Sequence, residues 1–386
     1  FLLFKAKVQN GLGEFYANSD AVKEELEKFM PYGASAVTPT CLRNHLMLNE
    51  LKAGRGPIYM ATDVALNKFL EDRRAAGMDE KSVKKFWKHL ESEAWEDFLD
   101  MSVGQAGLWA GANIEPEKVG SEIMPTEPYM LGSHSGCCGI WTSGPEESWV
   151  PDVANESRAH KYKWGYNRMT TVDGLFTAGD GVGASGHKFS SGAHAEGRIV
   201  AKQMVKFCRD NASFKPELKQ SSQELADEIY APVRLYHEHV GASTAADVNP
   251  NYCKPAGIMM RLMKATDEYG GGVATYYMTS GKLLGICLDL LRMLREDAAK
   301  MAAGDLHELL RAWENYHRIW CVETHIRHIE FRQESRYPGF YYRSDFPKVD
   351  DENWKCFVNS TFNPETQDWL CEKVECINIV ETDPWL

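Results

Sequence analysis

No apolar run in this chain reaches the roughly 18 residues that a membrane-crossing helix needs, and no basic stretch leads into a hydrophobic one as an export signal does. Neither insertion nor secretion is signalled, so a cytoplasmic location is expected. Cysteine is present but unpatterned: Cys41, Cys137, Cys138, Cys208, Cys253, Cys287, Cys321, Cys356, Cys371 and Cys376 never fall in C-x-x-C spacing. That gives no basis for an iron–sulfur or zinc site held by this chain alone, and without an export signal the thiols are expected to stay reduced. Positive charge is short as well. With 43 Lys and Arg against 55 Asp and Glu, the formal net charge is −12, and no basic stripe exists to neutralise a phosphate backbone, which argues against nucleic acid as the main ligand. The last absence concerns domain organisation. A dinucleotide-binding fold normally opens with a strand followed by G-x-G-x-x-G, and no such pairing opens this chain. The ADP-binding half of any dinucleotide site is therefore expected outside these 386 residues, with this chain as the C-terminal portion of something longer.

What is present is enough for a globular core: 44% of residues are apolar and 11% aromatic, and the length suits two or three domains. The most informative stretch runs from Thr171 to Gln203. It reads as a hairpin entry at Val172, Asp173 and Gly174, a buried strand over Leu175, Phe176, Thr177 and Ala178, then Gly179-Asp180, a glycine-rich loop and an alanine-rich helix from about Ser190-Ser191. Gly179 allows close backbone approach, Asp180 offers a carboxylate to sugar or ribityl hydroxyls, and the helix opening aims unpaired N–H groups at an electron-rich atom. The alternative is a glycine-rich strand-to-helix turn of the kind that recurs at unrelated α/β sites.

Around that stretch the chain divides into residues 1–129, an inserted α+β segment, residues 130–223, where strand and glycine signals return, and residues 224–386, where the pattern is helical. Helices are expected over Asp20–Phe29 and Arg43–Leu51. Another follows an N-cap at Asp79, with Val83, Phe86, Trp87, Leu90 and Ala94 on one face. Further on, Leu283, Leu284, Cys287, Leu288, Leu291 and Leu294 form an apolar stripe, and a second long helix is expected over Asp305–Glu334.

Three segments in order carry a family resemblance: LGSHSGCCGIW (Leu131–Trp141), GLFTAGD (Gly174–Asp180) and ESRYPGFYYRSDFPKVDDENW (Glu334–Trp354). Together they resemble the fumarate reductase and succinate dehydrogenase flavoprotein family. Where dicarboxylate reductases of that family carry an arginine that clamps a substrate carboxylate, this chain has Lys188, and Lys cannot reproduce a bidentate fork. The runs Thr38–Asp63, Ser185–Arg198 and the vicinal Cys137-Cys138 are instead similar to the adenylylsulfate reductase branch. The resemblance implies an α/β and α+β multidomain chain. It would be the C-terminal part of an FAD-binding Rossmann-like flavoprotein, with an inserted capping domain (1–129), the second segment of the FAD domain (130–223) and a C-terminal helical domain (224–386).

The implied activity is reversible two-electron reduction of adenylylsulfate to sulfite and AMP, with reduced flavin N5 attacking sulfur as AMP leaves. The implied partners are a ferredoxin-like iron–sulfur beta subunit in a heterodimer and contact with a membrane electron-transfer complex, and the implied FAD is non-covalent. Other readings are a related flavin oxidoreductase of a small organic acid, disfavoured by Lys188, and a non-catalytic subunit that keeps the flavin fold. His134 occupies the family's histidine position over the flavin; its alternative is a satisfied histidine at a domain edge. Arg55, between Gly54 and Gly56, and Arg43, beside Asn44 and His45, are candidate cations for the sulfonyl oxygens and α-phosphate, or else surface arginines. Gly179, Asp180, Gly186, His187, Ser190, Ser191 and Gly192 are the candidate cofactor-binding residues, and no metal site is expected. For Cys137 and Cys138, tight packing beside the flavin and a strained vicinal disulfide both account for the pair, the former being favoured.

Overall fold

A computed structural model describes residues 7–9, 15–16, 39–101, 107, 109–115, 118–123, 139–145, 158, 161–183, 189–213, 215–243, 245, 247–250, 252–336 and 341–376. The chain forms two compact units, one from Phe1–Thr126 with Tyr337–Phe340, the other from Glu127–Arg336 with Tyr341–Leu386.

The first unit combines a small sheet with helices. Its elements are β1 (Lys7–Gln9), β2 (Phe15–Tyr16), α1 (Pro39–Lys52), β3 (Ile58–Ala61), α2 (Thr62–Ala75), α3 (Glu80–Met101) and β4 (Ser121–Ile123). The strands lie in the order β2-β1-β3-β4, antiparallel throughout. Pro39 at the first position of α1 lacks only an N–H that a helix start leaves unpaired. The expected Arg43–Leu51 helix lies within α1. Ile58 of β3 is fully buried beside Met47 of α1, with Leu51 and Ile123 around them. Asp79 caps α3 as its sequence position suggests: Oδ1 accepts from the N–H groups of Lys81 and Ser82, each at 3.0 Å. The apolar spacing then turns Val83 and Leu90 inward against Leu66, Leu70 and Trp109, with Phe86 and Trp87 partly covered. Ala94's side chain and the expected Asp20–Phe29 helix lie outside the described residues.

The second unit contains α4 (Phe189–Asp210), α5 (Ser222–Ile229), α6 (Ala231–His239), α7 (Pro255–Tyr269), β5 (Met278–Thr279), α8 (Gly281–Ala298), α9 (Leu306–Phe331), β6 (Tyr342–Arg343), α10 (Asp351–Trp354), β7 (Cys356–Asn363) and β8 (Asp368–Glu375). Among the described residues, four helix starts carry side-chain caps that the sequence supplies: Ser221 with Glu224 as a capping box, Ser280, Asp305 accepting from Glu308 N at 2.8 Å, and Asp350 accepting from Asn353 N at 3.1 Å. Each satisfies a donor the helix leaves open, worth about 1 kcal/mol. The α8 stripe is core: Leu284, Cys287, Leu291 and Leu294 are buried with Ile258 and Leu262 of α7 and with Ala312, Ile319 and Ile326 of α9. Burying each leucine contributes roughly 1.5–3 kcal/mol.

Helix α9 stops at Phe331, three residues before the expected end at Glu334. The reason lies downstream. Arg343, 2% exposed, donates from Nη1 to the carbonyls of Ile329, Glu330 and Arg332 at 2.6, 3.0 and 3.2 Å, occupying acceptors that the helix end leaves open. Glu334 then turns inward, fully buried, and accepts from Arg332 and Arg336 and from the backbone of Asp350. Strands β5 and β6 pair in parallel through Met278↔Tyr342 and Thr279↔Arg343, which sets Asp345 at the start of α8.

The region expected to be helical also holds a β-hairpin. Strands β7 and β8 pair antiparallel along their whole length, from Cys356↔Glu375 to Asn363↔Asp368. Trp369 and Phe362 of the hairpin pack against Trp320 of α9, with ring centroids 6.2 and 4.6 Å from it. The hairpin also reaches back in sequence. Phe357 lies 5.9 Å from the Trp141 ring, and the Tyr162 hydroxyl donates to the carbonyl of Glu375.

Candidate functional site

The glycine-rich region of the second unit is built on one close backbone approach. Ile140 and Val182 form a parallel bridge, with Ile140 N donating to Gly181 O and Gly183 N to Ile140 O, both at 2.9 Å. Residue 139 has to be glycine. Its φ is +143°, and a Cβ there would stand 2.9 Å from both Gly181 O and Gly183 N, backbone atoms that cannot move aside. The second constrained position is Gly179, at φ +70°, where a Cβ would come within 3.2 Å of the Ala193 Cβ on α4. These constraints hold the one-turn 3₁₀ helix Gly179–Gly181 close against the 139–140 backbone and against α4. Asp180 is exposed, as are Ser190 and Ser191 in the first turn of α4, while Gly192 is buried. The exposed Asp180 carboxylate and the Ser190 and Ser191 hydroxyls offer the acceptor and donor types that a dinucleotide takes. Gly186 and His187 lie outside the described residues.

The hairpin before this loop forms, but not as the expected buried strand. Met169 bridges Phe176, Thr170 N donates to Leu175 O at 2.8 Å, and Thr177 N donates to Arg168 O at 3.2 Å. Leu175 is 53% exposed and Ala178 is exposed, because among the described residues this segment finds one ladder neighbour and no covering layer. Its anchor is aromatic: Phe207, near the end of α4, sits edge-on to Tyr166 and Phe176 at 5.2 and 6.0 Å.

An ion pair that sequence reasoning missed joins hairpin and helix. Arg168 donates from Nε and Nη2 to the two carboxylate oxygens of Glu196, the second at 2.9 Å, and the pair is largely buried, at 16% and 7% side-chain exposure. Arg168 itself holds φ +68°, with its N–H on Ser143 O at 2.8 Å. Ser143, fully buried, accepts through Oγ from the N–H groups of Trp164 and Gly165 at 3.0 and 3.2 Å. The available signal was weak: Glu196 follows Gly192 by one turn, a lone acid on the inward face of α4, and its partner is 28 residues away in sequence.

In the first unit, Arg55 follows α1 and donates from Nε and Nη2 to the Glu50 carboxylate, each at 2.7 Å. Glu50 is the more buried partner, at 14% against 39%. Arg43 lies in α1, and its side chain is outside the described residues, as are His134, Cys137, Cys138 and Lys188. Gly179, Asp180, Ser190, Ser191 and Gly192 are thus brought together around one loop and one helix start. Among the described residues, no cluster of His, Cys, Asp and Glu is disposed to hold a metal ion, and no helix is long and apolar enough to cross a membrane.

No family model matches the chain. Over 383 residues, 99% of its length, it is 56% identical to the alpha subunit of adenylylsulfate reductase from Megalodesulfovibrio gigas, and it spans 56% of that relative. The solved structure of adenylylsulfate reductase from the hyperthermophile Archaeoglobus fulgidus superposes with a TM-score of 0.80 at 46% identity, over 98% of this chain and 56% of that one. An adenosine-5-phosphosulfate reductase in complex with sulfite, described as a covalent adduct, also gives 0.80, at 45% identity and the same coverage. The quinol fumarate reductase of E. coli gives 0.55 at 16% identity over 97% of this chain and 55% of its own, a likeness of fold alone.

Proposed function

The chain belongs to the adenylylsulfate reductase alpha-subunit family, and on that premise we propose that the complete protein reduces adenylylsulfate to sulfite and AMP, or runs the reverse reaction, with non-covalent FAD. The observation that carries the reading is 56% identity sustained over 99% of the chain, supported by the close backbone packing at Gly139 and Gly179, which sets a glycine-rich turn beside the start of α4.

A bound flavin supplies the electron pair that turns the sulfonyl group of adenylylsulfate into sulfite. This chain's residues do the rest. The Asp180 carboxylate accepts from a cofactor hydroxyl, Gly179, Gly186 and Gly192 keep the backbone close to the cofactor, and His187 binds it from the same loop. The first turn of α4, with Ser190 and Ser191, presents N–H and O–H donors where negative charge collects on reduction. His134 orients the reacting group above the ring, and Arg55 or Arg43 binds the sulfonyl oxygens or α-phosphate. AMP departs as a stabilised phosphate, which free sulfate lacks as a leaving group. Electrons arrive through a ferredoxin-like iron–sulfur beta subunit, since this chain has no cysteine pattern for a cluster, and the assembly works in the cytoplasm in contact with a membrane electron-transfer complex.

The test is the visible spectrum of the purified complete protein. Sulfite is expected to bleach the flavin band, and acid precipitation to release all the yellow colour into the supernatant. A flavin band indifferent to sulfite would remove the reading, and colour retained in the pellet would make the attachment covalent.

A further inference from the structure

Helix α4 can present Ser190, Ser191 and its open N–H groups to a ring only if its rotation about its own axis is fixed. A helix packed mainly through small residues is poorly fixed in that sense. Phe207 anchors the far end of α4 to Tyr166 and Phe176, but near its start Gly192, Ala193 and Gly197 give few protrusions, so packing alone sets the first turns loosely against the loop. The bidentate Arg168–Glu196 pair supplies what packing does not. A planar fork meeting a carboxylate through two bonds fixes direction as well as distance, and Glu196 lies one turn beyond Gly192, on the same inward face. At its other end the fork stands on a rigid base, because Arg168's own backbone bonds Ser143 O and receives Thr177 N. The same hairpin leads directly into Gly179–Gly181.

We propose that Arg168 and Glu196 are positioning residues for the flavin: the pair locks α4 to the hairpin so that the Gly179 turn and the first turn of α4 face the ring in one fixed register. This rests on the flavin-binding reading above. It makes a distinction that a merely stabilising ion pair does not, because a buried ion pair replaced by apolar residues of similar size often leaves stability unchanged or raised, whereas the directional lock is lost.

The experiment compares the complete protein with the double variant Arg168→Met/Glu196→Leu and with Glu196→Gln, which keeps the shape and one accepting oxygen. Three quantities are read: the melting temperature of the flavin-free protein, the dissociation constant for added FAD, and the sulfite concentration that half-bleaches the flavin. In the double variant the flavin-free melting temperature is expected to stay at the wild-type value, while the FAD dissociation constant and the sulfite midpoint each rise about tenfold, the scale on which supporting-shell groups act. Glu196→Gln is expected between the two. Wild-type FAD affinity and sulfite midpoint in both variants would overturn the proposal. So would a melting temperature that falls in step with FAD affinity in both, which would make the pair structural. A wild-type protein that takes up no FAD would overturn the underlying reading and this proposal with it.

Discussion

At the scale of single residues, Arg55 does not enter any substrate site as an isolated cation. Two of its N–H groups already lie on Glu50, so an anion meets a guanidinium whose direction is set and whose charge is partly offset. Removing Arg55 would leave the more buried carboxylate without this partner and add repulsion to the lost attraction. If Arg55 is the substrate cation, Arg55→Ala is expected to weaken adenylylsulfate and sulfite binding by roughly 2–4 kcal/mol, the range for losing one partner of a desolvated charge pair, while Arg43→Ala leaves binding near the wild type. The reverse ranking would assign the role to Arg43. His134→Ala is expected to differ in kind, lowering kcat while flavin stays bound. Steady-state kinetics with flavin occupancy on the three variants decides it: wild-type kinetics throughout would dismiss all three residues, and loss of flavin in His134→Ala would make that side chain structural.

Among the elements, the start of α8 carries a titratable lock. Arg343, donating to both Asp345 oxygens at 2.9 and 2.8 Å, holds that carboxyl down at about 2, and the N–H of Gly281 at 2.8 Å adds to the effect. A carboxyl depressed in the folded state adds stability that is complete above its ordinary value near 3.8 and is lost as pH falls toward 2. Asp345→Asn is therefore expected to lower stability at neutral pH and to flatten the acid limb between about pH 4 and 2, as measured by denaturant midpoints across that range; an unchanged acid limb would show that Asp345 does not titrate with unfolding. The helices around it were legible because apolar period and cap coincide: Asp79 with Val83 and Leu90, and Asp305 before the long stripe of α9. The hairpin β7–β8 was not, because its strands are partly exposed on both faces and only Val374 is deeply buried, so no clean alternation marks an inward side. In the candidate site, the close approach at Gly179 was readable from local turn chemistry, whereas that at Gly139 was not, because its backbone neighbours lie about forty residues on. The Arg168–Glu196 pair was not, because nothing near either residue in sequence names its partner.

For the whole molecule, electron supply and chain connectivity both reach beyond the glycine loop. The proposed reduction draws two electrons per turnover from elsewhere, so affinity purification of the complete protein is expected to bring down a small cysteine-rich subunit in equal amount; full turnover by this chain's protein alone with a one-electron protein donor would count against that. The back-contact of the C-terminal hairpin has its own consequence. Tyr162 and Glu375 stand 213 residues apart, yet the hydroxyl of one rests on the carbonyl of the other, beside the Trp141–Phe357 contact. During synthesis, the segment leading into the glycine loop must therefore wait for β8 to leave the ribosome before these contacts can close. A protease that trims the chain just before β7 would leave every residue of that loop in place and still unfasten the segment in front of it.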